Sequence, residues 1–228
     1  MTSAKLGAIR ACVFDAYGTL FDYASAVARC DGVPDDKRSA LNTLWREKQL
    51  QYTWLRGLQG RHADFWQVTS DALDFTLETL GVNSPGLHDR LMELYSKLAP
   101  FPEVPHFLER LKTAGIKTAI LSNGTPEMLE TAVRNANIGH LLDGVFSVES
   151  VGVFKPHPQV YQLAVERLEV EASAISFQSS NAWDAYAASA FGMRVVWCNR
   201  YGQHPERLPG KPDYEITSLS NFPDLLGI

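Results

Sequence analysis

Ile9-Arg10-Ala11-Cys12-Val13-Phe14-Asp15-Ala16-Tyr17-Gly18-Thr19 opens as a short, mostly apolar run and closes on a carboxylate followed by turn-forming residues. That is the pattern of a buried strand running into a polar turn. It places Asp15 at the strand's C-terminal end. Further along the chain, after Pro100-Phe101-Pro102, the pattern alternates: helix 103–114 stopped by Gly115, strand 117–121, helix 126–136, strand near 145–148, helix 158–168, strand 174–177, helix 182–191, strand 194–198. A polar loop from Pro205 to Pro212 leads to a last strand and helix. A run of βαβ units predicts an α/β fold with a doubly wound, Rossmann-like parallel sheet. In such sheets the active site lies in the loops beyond the C-terminal strand ends.

The stretch 21–100 reads differently. Leu41, Leu44, Trp45, Tyr52 and Leu55 recur at helical spacing, Phe65 to Leu80 does the same, and no strand pattern interrupts them. This predicts an all-helical cap over 21–100, inserted in a core made of 1–20 and 101–228.

At 228 residues, with 45% hydrophobic and 21% charged residues, the chain can bury a core without disulfides or metals. The 11% aromatic content suggests apolar pockets. Net charge is -5 and no run of Lys or Arg forms a phosphate-neutralising stripe, which argues against nucleic acid as a partner. Cys12, Cys30 and Cys198 are odd in number and have no CxxC spacing, so they read as reduced thiols. Lys5 and Arg10 precede an apolar run, but Asp15 interrupts it too early for a signal segment, and no run approaches a membrane span. The expected location is the cytoplasm, with no membrane partner. The six histidines are scattered, so none is assigned a metal or base role.

Four strand-end loops carry chemistry: Asp15 to Thr19, Ser122-Asn123-Gly124, Lys155-Pro156, and Ser179-Ser180-Asn181-Ala182-Trp183-Asp184. Taken singly they are bland. Asp15 or Asp184 is equally a turn or cap aspartate, Ser122-Asn123-Gly124 a turn, and Lys155 a solvated loop lysine. A parallel sheet brings them to one rim, where two carboxylates, an ammonium, hydroxyls and amides converge.

These four stretches resemble the motifs of the haloacid dehalogenase superfamily along the length of the chain. Within it the chain is similar to the L-2-haloacid dehalogenases, through Trp45-Arg46, the string Gln49 to Arg56, and Ser179 to Asp184. Two departures from the phosphatases of that superfamily matter. Where they carry a second Asp two residues after the nucleophile, this chain has Tyr17, and where they carry an Asp ahead of the position of Asp184, it has Ser180. Those enzymes hold Mg²⁺ with hard oxygen ligands. Without that charge, a phosphoryl group beside two carboxylates is repelled, whereas a monoanionic haloacid is easier to accommodate.

The resemblance implies metal-independent and cofactor-free hydrolysis of short (S)-2-haloacids, such as haloacetate and 2-halopropionate, to (R)-2-hydroxyacids and halide. Asp15 would displace the halide from C2 with inversion and form an ester, which water activated by Asp184, alone or together with Lys155, then hydrolyses. Arg46 and Asn123 would receive the halide, and Ser122 would hold the substrate carboxylate. Lys155 would offset repulsion and favour the ionised form of both aspartates. Thr19, Ser179 and Asn181 would orient the water and the carboxylates, and Tyr161 would lie within reach of the site. Tyr17, Phe65 and Trp183 would exclude water. Taken alone, Arg46 reads as a surface helical arginine, and Phe65 and Tyr161 as helix core. The resemblance also implies a homodimer. Two alternatives stay open, a phosphatase or phosphonatase and an inactive binding domain.

Overall fold

The computed structural model describes residues 6–228, so Lys5, weighed above as part of a leader, lies outside the described residues. Six strands form one parallel sheet in the order β3-β2-β1-β4-β5-β6. Strand β1 is Ala11–Phe14, fully buried because both faces are covered by helices. Its register runs Ala11 to Lys117 on β2 (Lys117–Ser122) and Ala11 to Ile175 on β4 (Ile175–Ser179). Strand β3 (Gly144–Ser147) lies on one edge, and β5 (Arg194–Cys198) and β6 (Tyr214–Ile216) on the other. The strand order reverses around β1, so the crevice of this fold opens at the residue that follows it, Asp15.

Strand β4 extends two residues past the predicted end at 177. Polar Gln178 and Ser179 broke the apolar pattern, yet they pair with Phe14 on β1 and with Val196 and Trp197 on β5. A ladder bonds backbone groups whatever the side chain.

The stretch predicted to be a cap is helical throughout: α1 (Ala24–Arg29), α2 (Asp35–Gln59), α3 (Phe65–Leu80) and α4 (Leu87–Ser96). Asp64 caps α3 by accepting from Gln67 N–H at 2.8 Å, and α2 and α3 end on left-handed Gly60 and Gly81. The two chain crossings into the core run side by side. Asp22 N–H donates to Ala99 C=O at 3.0 Å, and Phe101 N–H to Leu20 C=O at 2.9 Å. The core helices are α5 (Val104–Thr113), α6 (Pro126–Asn135), α7 (Pro158–Leu168), α8 (Ala182–Phe191) and α9 (Phe222–Leu226). Among the described residues no helix is long and apolar enough to cross a membrane.

Candidate active site

Each strand end delivers one piece. Asp15 follows β1, Ser122 ends β2 with Asn123 next, Lys155 lies in the loop after β3, and Ser179 ends β4. Gly18, at φ +88°, allows the turn after Asp15 to fold back. Gly124 serves close approach, because an added Cβ would lie 2.9 Å from the Tyr17 ring.

Lys155 is the hub. Its side chain is 1% exposed, and its Nζ lies 3.1 Å from Asp15 Oδ1 and 2.8 Å from Asp184 Oδ2. Burial alone would lower the Lys155 ammonium, but the charges of Asp15 and Asp184 overcome this and hold it above its ordinary value. At Asp184 the balance falls the other way. Burial raises its carboxyl and Asp15 adds to the rise, while Lys155 and the Tyr161 hydroxyl, donating to Oδ1 at 2.7 Å, pull against them. Lys155 thus pulls Asp184 toward its ionised form, as expected, but burial outweighs that pull and leaves the carboxyl above its ordinary value. Burial and Asp184 in turn keep the Tyr161 phenol far above its usual range, so it remains a donor.

The other oxygen of Asp15, Oδ2, accepts from Asn181 Nδ2 at 2.7 Å and Thr19 Oγ1 at 3.0 Å, with Ser179 Oγ at 3.5 Å. Thr19 is itself fixed by accepting from Ser180 N–H at 2.8 Å. Asn181 occupies the N-cap position of α8, yet its side chain makes no capping bond and is spent on Asp15 instead. Giving up a cap worth about 1 kcal/mol marks a residue held for the site.

From the cap, Arg46 reaches the rim. Its Nη2 donates to Asn181 Oδ1 at 3.1 Å, its Nη1 donates to Gln49 Oε1 at 2.7 Å, and its guanidinium lies 4.9 Å over the Tyr23 ring. Asp15, Tyr17, Arg46, Leu50, Phe65, Ser122, Asn123, Lys155, Asn181 and Trp183 enclose a cavity of about 10 Å³. That is room for roughly one water, so the cap is closed on the rim. Asn123 Oδ1 is occupied by Lys155 N–H at 3.0 Å, so Asn123 can still offer its Nδ2 donor. Ser122 accepts from Gly124 N–H at 3.1 Å and keeps its own hydroxyl hydrogen. Thr19, Ser179, Tyr161 and Asp184 lie outside the lining, behind Asp15 and Lys155.

Sequence reasoning named Asp15, Tyr17, Thr19, Arg46, Phe65, Ser122, Asn123, Lys155, Tyr161, Ser179, Asn181, Trp183 and Asp184, all of which the structure brings together here, but it gave no role to Tyr23, Gln49, Leu50 or Tyr95. Gln49 had a signal, since it lies three residues after Arg46 and so on the same helix face. Tyr95, stacked on Tyr17 at 5.5 Å, had none.

The rim does not suit a hard divalent cation. Position 17 is a buried aromatic and position 180 a serine, and an ammonium stands between the two carboxylates. Among the described residues no three His, Cys, Asp or Glu side chains gather to hold a metal.

Crevice, nucleophile position and helical cap together define a class: the chain belongs to the haloacid dehalogenase-like hydrolases, whose family model matches residues 9–192. It is 46% identical to (S)-2-haloacid dehalogenase 1 of Pseudomonas sp. (strain CBS-3) over 219 residues, 96% of each chain. A dehalogenase crystal structure with an intermediate complex is 43% identical, with TM-score 0.94 over 97% of this chain and 98% of that one. The L-2-haloacid dehalogenase of Xanthobacter autotrophicus, solved with chloropropionic acid covalently bound, is 37% identical, with TM-score 0.89 over 96% and 98% of the two chains.

Proposed function

We propose that the chain hydrolyses short (S)-2-haloacids to (R)-2-hydroxyacids and halide through an ester on Asp15, without a metal ion. The observation that carries this reading is the charge arrangement around the closed cavity. Asp15 and Asp184 are matched by Lys155 and Arg46, so their formal charges cancel and a monoanionic acid is admitted without net repulsion.

Asp15 Oδ1 has a single donor while Oδ2 has three, so Oδ1 keeps the freer lone pair for attack on C2. Attack from the side opposite the halogen inverts C2 and expels halide toward Arg46 and Asn123. Tyr17, Phe65 and Trp183 keep water from the carboxylate nucleophile, and Ser122 donates to the substrate carboxylate. In the ester, Oδ2 becomes the carbonyl oxygen. When water attacks, the negative charge develops on Oδ2, where Asn181, Thr19 and Ser179 already donate. Asp184, with its raised proton affinity and held by Tyr161 and Lys155, takes the water's proton. As the charge on Oδ2 collapses back, the Cγ–Oδ1 bond breaks and that proton passes to Oδ1, which leaves as the hydroxyl of the product while the water oxygen restores the Asp15 carboxylate.

We place the core at 1–20 and 101–228 and the cap at 21–100, supported by the paired crossings at Leu20–Asp22 and Ala99–Phe101. Three free, buried cysteines support a reducing cytoplasm. Exposed Leu55 and Leu58 on α2 and Phe75 on α3 support a homodimer through the cap.

The test is halide release from L-2-chloropropionate in EDTA. Wild type should release chloride, and Asp15→Asn should lose at least about 10⁴-fold in rate. Phosphate release that requires Mg²⁺, with no chloride release, would sink the reading.

A further inference from the structure

One buried polar side chain bonded to a cavity-lining residue has no task in the proposed hydrolysis. Gln49 on α2 is 1% exposed, and both ends of its carboxamide are bonded. Oε1 accepts from Arg46 Nη1 at 2.7 Å, and Nε2 donates to Thr69 Oγ1 at 2.7 Å and to Tyr95 OH at 3.1 Å. Chemistry fixes the orientation, because arginine only donates and so requires the carbonyl end. Thr69 spends its one hydroxyl hydrogen on Phe65 C=O at 2.6 Å, and therefore accepts from Gln49. Tyr95 in turn stacks on Tyr17. Directly or through one intermediate, a single carboxamide thus holds Arg46, Phe65 and Tyr17, all of which line the cavity.

Simple satisfaction of buried donors would explain the bonds to Thr69 and Tyr95. The guanidinium points to a larger role. Gln49 holds Nη1 from the cap, Asn181 holds Nη2 from the core, and Nε is buried with no partner. Held at both ends, the guanidinium plane has one fixed setting, in which Nε remains a donor for a ligand.

We propose that Gln49 is a positioning residue that sets the plane of Arg46, so that the guanidinium meets the departing halide. The proposal rests on the reading of Arg46 as the halide acceptor.

The experiment compares wild type, Gln49→Met and Gln49→Glu in single-turnover halide release from 2-chloropropionate and 2-bromopropionate, and in inhibition by added bromide. Circular dichroism and thermal midpoint check the fold. Chloride is the poorer leaving group and depends more on its acceptor. Gln49→Met should therefore slow chloride release by about tenfold and bromide release by less, raising the bromide-to-chloride ratio by about threefold and weakening bromide inhibition. Gln49→Glu keeps an acceptor for Arg46 but sets a negative charge against it, and should weaken bromide inhibition by about tenfold. A folded Gln49→Met with the wild-type bromide-to-chloride ratio overturns the proposal, whatever its overall rate. If that variant does not fold, unchanged bromide inhibition in Gln49→Glu overturns it. Failure of the parent reading looks different, because the wild type itself would then release no halide.

Discussion

The two walls of the site are built differently. The core wall is built from the sheet's C-terminal rim: Ser122 and Ser179 end paired strands, Asp15 directly follows β1, and Lys155 comes from the loop after β3 and is held by its bonds to Asn123, Asp15 and Asp184. The cap wall, Arg46 and Phe65, stands on two helices that reach the rim through side chains, with Gln49 as the tie between them. The core wall holds buried charge and has to be electrostatically complete for the chain to fold well. The cap wall carries its positive charge at the edge of a cavity that has to open, so its loss should cost chemistry more than stability.

The largest expected effect comes from breaking the core wall at Lys155. Lys155→Met leaves two buried carboxylates without their counter-ion and should destabilise the chain by about 3–5 kcal/mol, read in urea unfolding, with halide release lost as well. Loss of activity at unchanged stability would erase the distinction between the walls. Arg46→Met is the counterpart on the cap. It should slow halide release by about 10²–10³-fold while shifting unfolding by less than about 1 kcal/mol, checked by the same two measurements. The smallest effect sharpens the role assigned to Asp184. Its carboxyl lies above the ordinary aspartate value, chiefly through burial, and only its ionised form accepts a proton, so activity should fall as pH drops through that raised value. Tyr161→Phe removes a donor that favours the ionised form. The acid limb should then move to higher pH, by about one unit, with a modest loss at neutral pH. A limb that stays in place would remove Asp184 from the role of base. An alkaline limb from Lys155 is expected only above 10.5, because both carboxylates raise it.

Much of this was legible in the sequence because it is local. Buried strands announce themselves by apolar runs, the helices between them by spacing and end signals, and the rim follows from the parallel order. The helix of the cap was legible for the same reason, and so was the class of chemistry, from Tyr17 and Ser180 standing where carboxylates would be needed. Less legible were features in which a residue's partner is far along the chain. Ser179 reads as the start of a loop but ends a strand, because its backbone pairs with Trp197. Tyr95, 46 residues from Gln49, gives no sign of belonging to the site.

The sequence by itself determined the order of strands and helices, the residues delivered to the rim and the charges they bring, since these depend on periodicity and residue type. Only the tertiary structure decided the electrostatic balance at Asp184. One ammonium shared between Asp15 and Asp184 leaves burial dominant at Asp184, and that balance depends on distances of about 3 Å between residues more than a hundred positions apart in the chain, or 29 in the case of Lys155 and Asp184. Electrostatic free energy varies with separation and with the exclusion of water, and neither is written in the order of residues.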